Sequence, residues 1–224
     1  MSETLKLIIF DLDDTLIRSN IDYMAIRLSI AELFDSPPTL KELSGTPILL
    51  VLENLRKVHP ERYLEGKRRI YETEEEAANT AEGIDGAHTI PELLDRYQIY
   101  SAILTNNSRK GVEIYLNNPE LVYLTKFEIF TRDDFSQAKP SPEGIETIIN
   151  YFKNHVDRGI TGDNTVYIGD SYIDALAADR ACVRFVWFHS RKIADHLFPT
   201  QPMATLSKWN QLEGLIARFS QSVM

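Results

Sequence analysis

Five short stretches of the chain are apolar almost without interruption: Leu5–Phe10, Ile99–Leu104, Phe127–Phe130, Val166–Ile168 and Phe185–Phe188. A strand with one wet face alternates polar and apolar residues. A strand covered on both faces does not, so these runs predict a buried parallel sheet. Between them the apolar spacing becomes helical. Ile145, Ile148, Ile149 and Phe152 follow i, i+3, i+4, i+7, behind Ser141 as N-cap and Pro142 at the first helical position. Leu212, Leu215, Ile216 and Phe219 repeat that spacing near the C-terminus. Strand then helix, repeated, implies right-handed βαβ crossovers and a doubly wound α/β sheet.

Residues 18–83 break this rhythm. Helical patterns run over Tyr23–Phe34, Leu40–Ser44, Ile48–Arg56 and Glu61–Glu82, punctuated by Pro37, Pro38, Pro47 and Pro60, with no convincing strand. The pattern predicts a small all-helical domain, 18–83, inserted into an α/β core of residues 1–17 and 84–224, with Gly83 and Gly86 marking the return to the sheet. The acidic run Glu72, Glu74, Glu75 and Glu76 is expected on a solvated helix face.

Composition narrows the partners. A chain of 224 residues, 43% hydrophobic, can bury one large core and carry an accessory domain. The net charge of -9 argues against nucleic acid, while leaving room for a local basic pocket. The one cysteine, Cys182, excludes an internal disulfide and fits a reducing, cytoplasmic compartment. It sits among Ala175, Ala178 and Ala181 and is expected as a small core residue. The N-terminus lacks a signal-peptide pattern, and no apolar run approaches the ~20 residues that span a bilayer, so no membrane partner is expected. His59, His88, His155, His189 and His196 show no ligand spacing and receive no role; Trp187 and Trp209 read as packing residues.

Ligands of open α/β sheets bind at the carboxyl ends of the strands. The first strand runs straight into Asp11, Asp13 and Asp14. Each pair of like charges at ~4 Å costs about 4 kcal/mol at an effective dielectric of ~20, so positive charge must offset them. Thr105 and Asn106 follow the second strand; Gly169, Asp170 and, one turn on, Asp174 follow the fourth; Lys139 and Pro140 precede a helix start. Asp11, Asp170 and Asp174 supply the hard oxygens that Mg²⁺ prefers. Asp11 and Asp13, at i and i+2, face the same side of an extended segment, one to attack and one to shuttle a proton. Thr105 and Lys139 complete a cradle for a phosphoryl group, and Mg²⁺ with Lys139 supplies the missing positive charge. Asp14 reads as a turn or helix-cap residue.

"DLDDT" at 11–15, "LTNN" at 104–107, "KPSP" at 139–142 and "GDSYIDALAA" at 169–178 resemble, in order and spacing, the four motifs of the haloacid dehalogenase-like superfamily. The helical insertion is similar to the cap of its phosphoglycolate-phosphatase-like and β-phosphoglucomutase-like branches. The resemblance implies a Rossmann-like core and a Mg²⁺-dependent phosphatase acting on a small phosphorylated metabolite, as monomer or homodimer. It implies Asp11 as the nucleophile that forms an aspartyl-phosphate and Asp13 as general acid and base. It implies Mg²⁺ held by the Asp11 and Asp170 carboxylates and the Asp13 backbone carbonyl, with Asp174 supporting the metal's waters or Lys139. Thr105 and Lys139 hold phosphoryl oxygens, and Asn106 joins the substrate-binding set. Gly45, in "ELSGTP", resembles the cap loop that reaches toward substrate. Within that family Asp13 favours phosphate ester or anhydride chemistry over dehalogenation, since an alkoxide needs a proton to leave and a halide does not; phosphoglycolate, a sugar phosphate, a nucleotide or pyrophosphate would all suit the motifs. A β-phosphoglucomutase-like phosphomutase is the alternative within enzymes, and a non-catalytic regulatory module the alternative outside them. Lys67, Arg68 and Arg69 read as a solvated helix face rather than a substrate contact.

Overall fold

The strand β1 (Leu7–Phe10) has no exposed residue and lies inside the sheet, as its uninterrupted apolar composition requires. The computed structural model describes residues 4–189 and 200–221; His196 lies outside them. After β1 come β2 (Ile17–Arg18), the helices α1 (Tyr23–Ala31), α2 (Leu40–Leu43), α3 (Ile48–Val58) and α4 (Tyr63–Ala78), and β3 (Glu82–Gly83). Then follow α5 (Ile90–Tyr97), β4 (Tyr100–Leu104), α6 (Arg109–Leu116), β5 (Glu128–Phe130), α7 (Glu143–His155), β6 (Thr165–Gly169), α8 (Tyr172–Arg180), β7 (Arg184–Phe188), β8 (Ala204–Leu206) and α9 (Leu212–Gln221).

The main sheet has six parallel strands in the order β5-β4-β1-β6-β7-β8. Five are the strands expected from the apolar runs. The sixth, β8, is a three-residue edge strand, too short to leave a pattern. Alternate residues face opposite sides. Ile8, Phe10, Ile103, Ile168, Val186 and Phe188 pack with Leu94, Val112, Leu212 and Ile216 from α5, α6 and α9. Leu7, Ile9, Ala102, Leu104, Tyr167 and Phe185 pack with Ile145, Ile148 and Ala178 from α7 and α8. Each Val, Leu, Ile or Phe among them, taken fully out of water, contributes about 1.5–3 kcal/mol. Helices on both faces make the sheet doubly wound.

The helices α1 to α4 gather around a cluster of their own, including Ile26, Ile30, Val51, Leu52, Leu55 and Ile70. One expectation for this stretch is corrected. β2 and β3 form an antiparallel ribbon, Ile17 opposite Gly83 and Arg18 opposite Glu82, so α4 stops at Ala78 and Glu82 is not helical. Two-residue strands carry no periodic signal. Three other expectations also change. Cys182 is exposed, at φ 54 in the turn between α8 and β7, and not a core residue. Glu74 is buried rather than solvated. Ser141 accepts from Glu143 N–H at 3.3 Å, but Pro142 is the N-cap and the helix opens one residue later than the spacing implied.

Both tryptophans pack as expected and also tie down loops. Trp209 stacks on Phe188 with ring centroids 4.2 Å apart and donates through Nε1 to the Thr15 carbonyl at 3.2 Å. Trp187 Nε1 donates to the Asp170 carbonyl at 3.0 Å. The two loops so anchored are those that carry the acidic residues.

Candidate active site

From β1 the chain crosses to β4 and β5 on one side, then returns to β6, β7 and β8 on the other. The connections leaving β1 and β6 therefore diverge, which opens a crevice at the carboxyl ends of those two neighbours. Phe10 is in register with Ile103 and Ile168, so the loops after β1, β4 and β6 emerge at one level. Asp11 N–H donates to the Ile168 carbonyl at 2.8 Å, continuing the ladder into the loop.

Lys139 stands at the centre of the acids. Its buried ammonium donates to Asp11 Oδ1 at 2.5 Å, Asp174 Oδ1 at 2.7 Å and the Tyr167 hydroxyl at 2.9 Å. These partners use all three of its protons. Tyr167 in turn donates to Asp174 Oδ1 at 3.0 Å, and Asp174 Oδ2 accepts from Ser171 N–H at 3.1 Å and Ser171 Oγ at 2.5 Å. Gly169 makes room for this network: a Cβ there would lie 2.6 Å from Asp174 Cγ. Asn106 clamps the Lys139 backbone from both sides, its Nδ2 donating to the Lys139 carbonyl at 3.0 Å and its Oδ1 accepting from Lys139 N–H at 2.9 Å.

Asp13 is held separately. Its Oδ2 accepts from Asn107 Nδ2 at 2.7 Å, and the Ser19 side chain also hydrogen-bonds the carboxylate and favours its ionised form. Burial pushes the Asp13 carboxyl up to about 6 from the usual 3.8. Asp11 is likewise pushed up, by burial first and then by Asp174, against the pull of Lys139. Burial, Asp174 and Asp11 raise Asp170 well above the carboxylate range. The cluster thus lacks positive charge even with Lys139 in place. Asp11, Asp170 and Asp174 each offer an oxygen, all within 4.8 Å of one another. Three hard, underneutralised oxygen donors fit a divalent cation of the Mg²⁺ kind. The Asp13 side chain is not in that group.

These residues line a cavity of about 340 Å³. Asp11, Asp13, Asn106, Lys139, Asp170 and Asp174 lie on its wall, as does Asp14 from the turn at φ 53. The opposite contribution comes from the helical segment, through Tyr23, Ile26 and Arg27 of α1 and Ile48 and Leu49 of α3. Thr105 and Gly45 are not on the wall. The Thr105 hydroxyl is buried and accepts from Asn107 N–H at 3.0 Å. Gly45 is exposed at φ 80, in a left-handed turn that precedes Thr46.

Several residues here escaped the sequence reading. Tyr167 is a polar-tipped residue in an otherwise apolar strand, and Asn107 hides in the pair "NN". Glu74 shares a helical face with Ile70, Ala77 and Ala78, a spacing that already pointed inward. It pairs with Arg132, both side chains almost wholly buried, and accepts from Ser108 Oγ at 2.9 Å. Arg132 also donates to the Asn106 carbonyl at 2.8 Å, linking α4 to the loop after β4. Of the basic run, Arg68 pairs with Glu65 and Glu72, and Arg69 with Glu65 and Glu32. Lys67 lies over the Tyr71 ring, 5.3 Å from its centroid, beside a second and more open groove.

Comparison with known proteins adds four findings. Residues 8–188 match the family model described as haloacid dehalogenase-like hydrolase. Phosphoglycolate phosphatase 1 of Pseudomonas aeruginosa is 28% identical over 210 residues, covering 85% of this chain and 73% of its own. Pyrophosphatase PpaX of Oceanobacillus iheyensis is 25% identical over 189 residues, covering 81% and 82%. A solved hydrolase from Pseudomonas syringae matches with a TM-score of 0.72 at 23% identity, over 96% of this chain and 98% of that one, a likeness of fold.

Proposed function

Because this chain belongs to the haloacid dehalogenase-like hydrolase family, we propose that it is a Mg²⁺-dependent phosphatase that hydrolyses a small phosphorylated metabolite through an aspartyl-phosphate on Asp11. The observation that carries this reading is the buried Asp11 carboxylate, fixed by Lys139 at the switch point of the sheet, beside an Asp13 whose pKa of about 6 suits proton transfer near neutrality. The curated relatives named above, a phosphoglycolate phosphatase and a pyrophosphatase, support phosphoryl chemistry.

An Asp11 oxygen attacks phosphorus, and the bond from phosphorus to the leaving oxygen breaks. Protonated Asp13 gives its proton to that oxygen. As a carboxylate, Asp13 then takes a proton from water as the water attacks phosphorus; the bond to Asp11 breaks and phosphate departs. Lys139 orients Asp11 and offsets its charge, and Asp174, Tyr167 and Asn106 orient Lys139. Thr105 fixes the loop that presents Asn107 to Asp13. Asp11, Asp170 and Asp174, with the Asp13 carbonyl, would hold Mg²⁺. When bound, it neutralises phosphoryl oxygens and the clustered carboxylates. Residues 18–83 act as a cap over a core of 1–17 and 84–224, excluding bulk water during the first transfer. The single cysteine suits a reducing, cytoplasmic setting.

The purified protein is expected to release p-nitrophenol from p-nitrophenyl phosphate with Mg²⁺ and to stop with EDTA. Asp11→Asn is expected to be inactive; turnover surviving in that variant overturns the reading.

A further inference from the structure

Tyr23, Ile26 and Arg27 lie at i, i+3 and i+4 of α1, so one helix face brings all three to the cavity. Asp22 fixes where that face begins, accepting from Met24 N–H at 3.0 Å and Ala25 N–H at 2.9 Å. Around Arg27 the helical wall is mostly apolar, with Ile21, Ile26, Pro47, Ile48 and Leu49; its polar members are Tyr23 and Glu74, the latter taken by Arg132. The other two cations of the cavity are already matched, Lys139 by Asp11 and Asp174, and Arg132 by Glu74. Among the described residues no carboxylate pairs with Arg27. Its Nε donates to the Thr46 carbonyl at 2.6 Å, beyond the left-handed turn at Gly45, and this orients the guanidinium. Four further N–H groups are left. Burial also pushes its pKa below the usual arginine value, against the opposing pull of Tyr23.

We infer that Arg27 is a specificity-determining residue that receives a second oxyanion of the substrate, a carboxylate or a phosphate at the far end of a short molecule whose phosphoryl group sits at Asp11. This rests on the phosphatase reading and deepens it. Asp11 and Arg27 line the same cavity of about 340 Å³, which has room for a small molecule carrying an oxyanion at each end. Planar guanidinium binds either oxyanion through paired hydrogen bonds.

The test uses three two-carbon phosphate monoesters, ending in a hydroxyl, a carboxylate or a second phosphate. Phosphate release is measured for the wild type, Arg27→Gln and Arg27→Lys. The wild type is expected to favour at least one doubly anionic ester by 10-fold or more in kcat/KM over the hydroxyl ester, and the preferred ester identifies the oxyanion. Arg27→Gln is expected to bring that ratio near one, mostly through KM, and Arg27→Lys to restore part of it. A ratio near one in the wild type, or a ratio unchanged in Arg27→Gln, overturns the inference. Calorimetric titration with a hydrolysis-resistant carboxyalkyl phosphonate and its alkyl analogue gives a second readout. Discrimination lost in Arg27→Gln supports the assignment even if no ester is turned over, an outcome that would fail the phosphatase reading alone. Equal binding of both phosphonates by the wild type counts against Arg27.

Discussion

Asn107 and Asp13, 94 residues apart in sequence, meet through a 2.7 Å hydrogen bond from Nδ2 to Oδ2. A donor on a carboxylate favours its ionised form. Asn107→Leu is therefore expected to raise the Asp13 pKa further, by one to two units if the bond is worth about 1.5–3 kcal/mol. The alkaline limb of the kcat profile for a poor leaving group should move up in pH by that amount. An unmoved profile would show that Asp13 does not set this limb.

Lys139 compensates two carboxylates at once. Lys139→Met is expected to cost about 3–5 kcal/mol in metal-free protein, because Asp11 and Asp174 are left buried without a cation. Activity should fall by about 10²–10³, the usual loss when one oriented charge-stabilising donor is removed. Urea unfolding and p-nitrophenyl phosphate turnover check the two separately.

The raised acids give the stability a definite pH dependence. Between 3.8 and about 6 the folded state holds a proton on Asp13 that the unfolded state has released. Stability therefore falls as pH rises through that window, by about 3 kcal/mol for a shift of roughly two units. Asp11 and Asp170 are raised as well and extend the fall above it. A divalent cation binds the ionised acids, so its stabilising effect grows in the same direction. The rise in Tm on adding Mg²⁺ should be larger at pH 8 than at pH 5; an equal rise at both counts against these acids as ligands.

Glu74 and Arg132 form a buried ion pair between α4 and the loop after β5. Removing either partner strands the other. Glu74→Gln or Arg132→Met is expected to destabilise by about 3–5 kcal/mol, and the double variant by less than the sum of the two. Additive losses in a double-mutant cycle would mean that the pair is not coupled.

Gly169→Ala places a methyl 2.6 Å from Asp174 Cγ. Asp174 must then move and release Lys139. The variant is expected to fold with a lowered Tm and to lose most of its turnover, while Gly214→Ala, at a position where a Cβ meets nothing within 4 Å, leaves turnover unchanged.

The acids and the strands that present them were legible because each leaves a local mark, an apolar run and then a charged residue near its end, and Lys139 because it stands with Pro140 just before a helix start. The supports were harder to read. Tyr167, Asn107 and Glu74 work through partners distant along the chain, and their types occur everywhere. Glu74 was masked by neighbours, since an acidic run reads as solvated until the helical phase of Ile70 and Ala77 is applied to it. Arg27 gave no signal as an isolated arginine in a helix; only the carbonyl of Thr46 and the cavity single it out. β8 and the ribbon are too short for any period to show.

The ribbon has a further consequence for engineering. Arg18 and Glu82 face each other as cross-strand partners, so the chain leaves the sheet and comes back at the same spot. Joining Arg18 to Glu82 by a two-residue hairpin turn would remove residues 19–81 and keep the ribbon, provided Arg132 is replaced as well so that the loss of Glu74 does not leave it buried alone. Such a deletion variant would keep Asp11, Lys139 and Asp170 in their frame and dispense with Arg27 altogether.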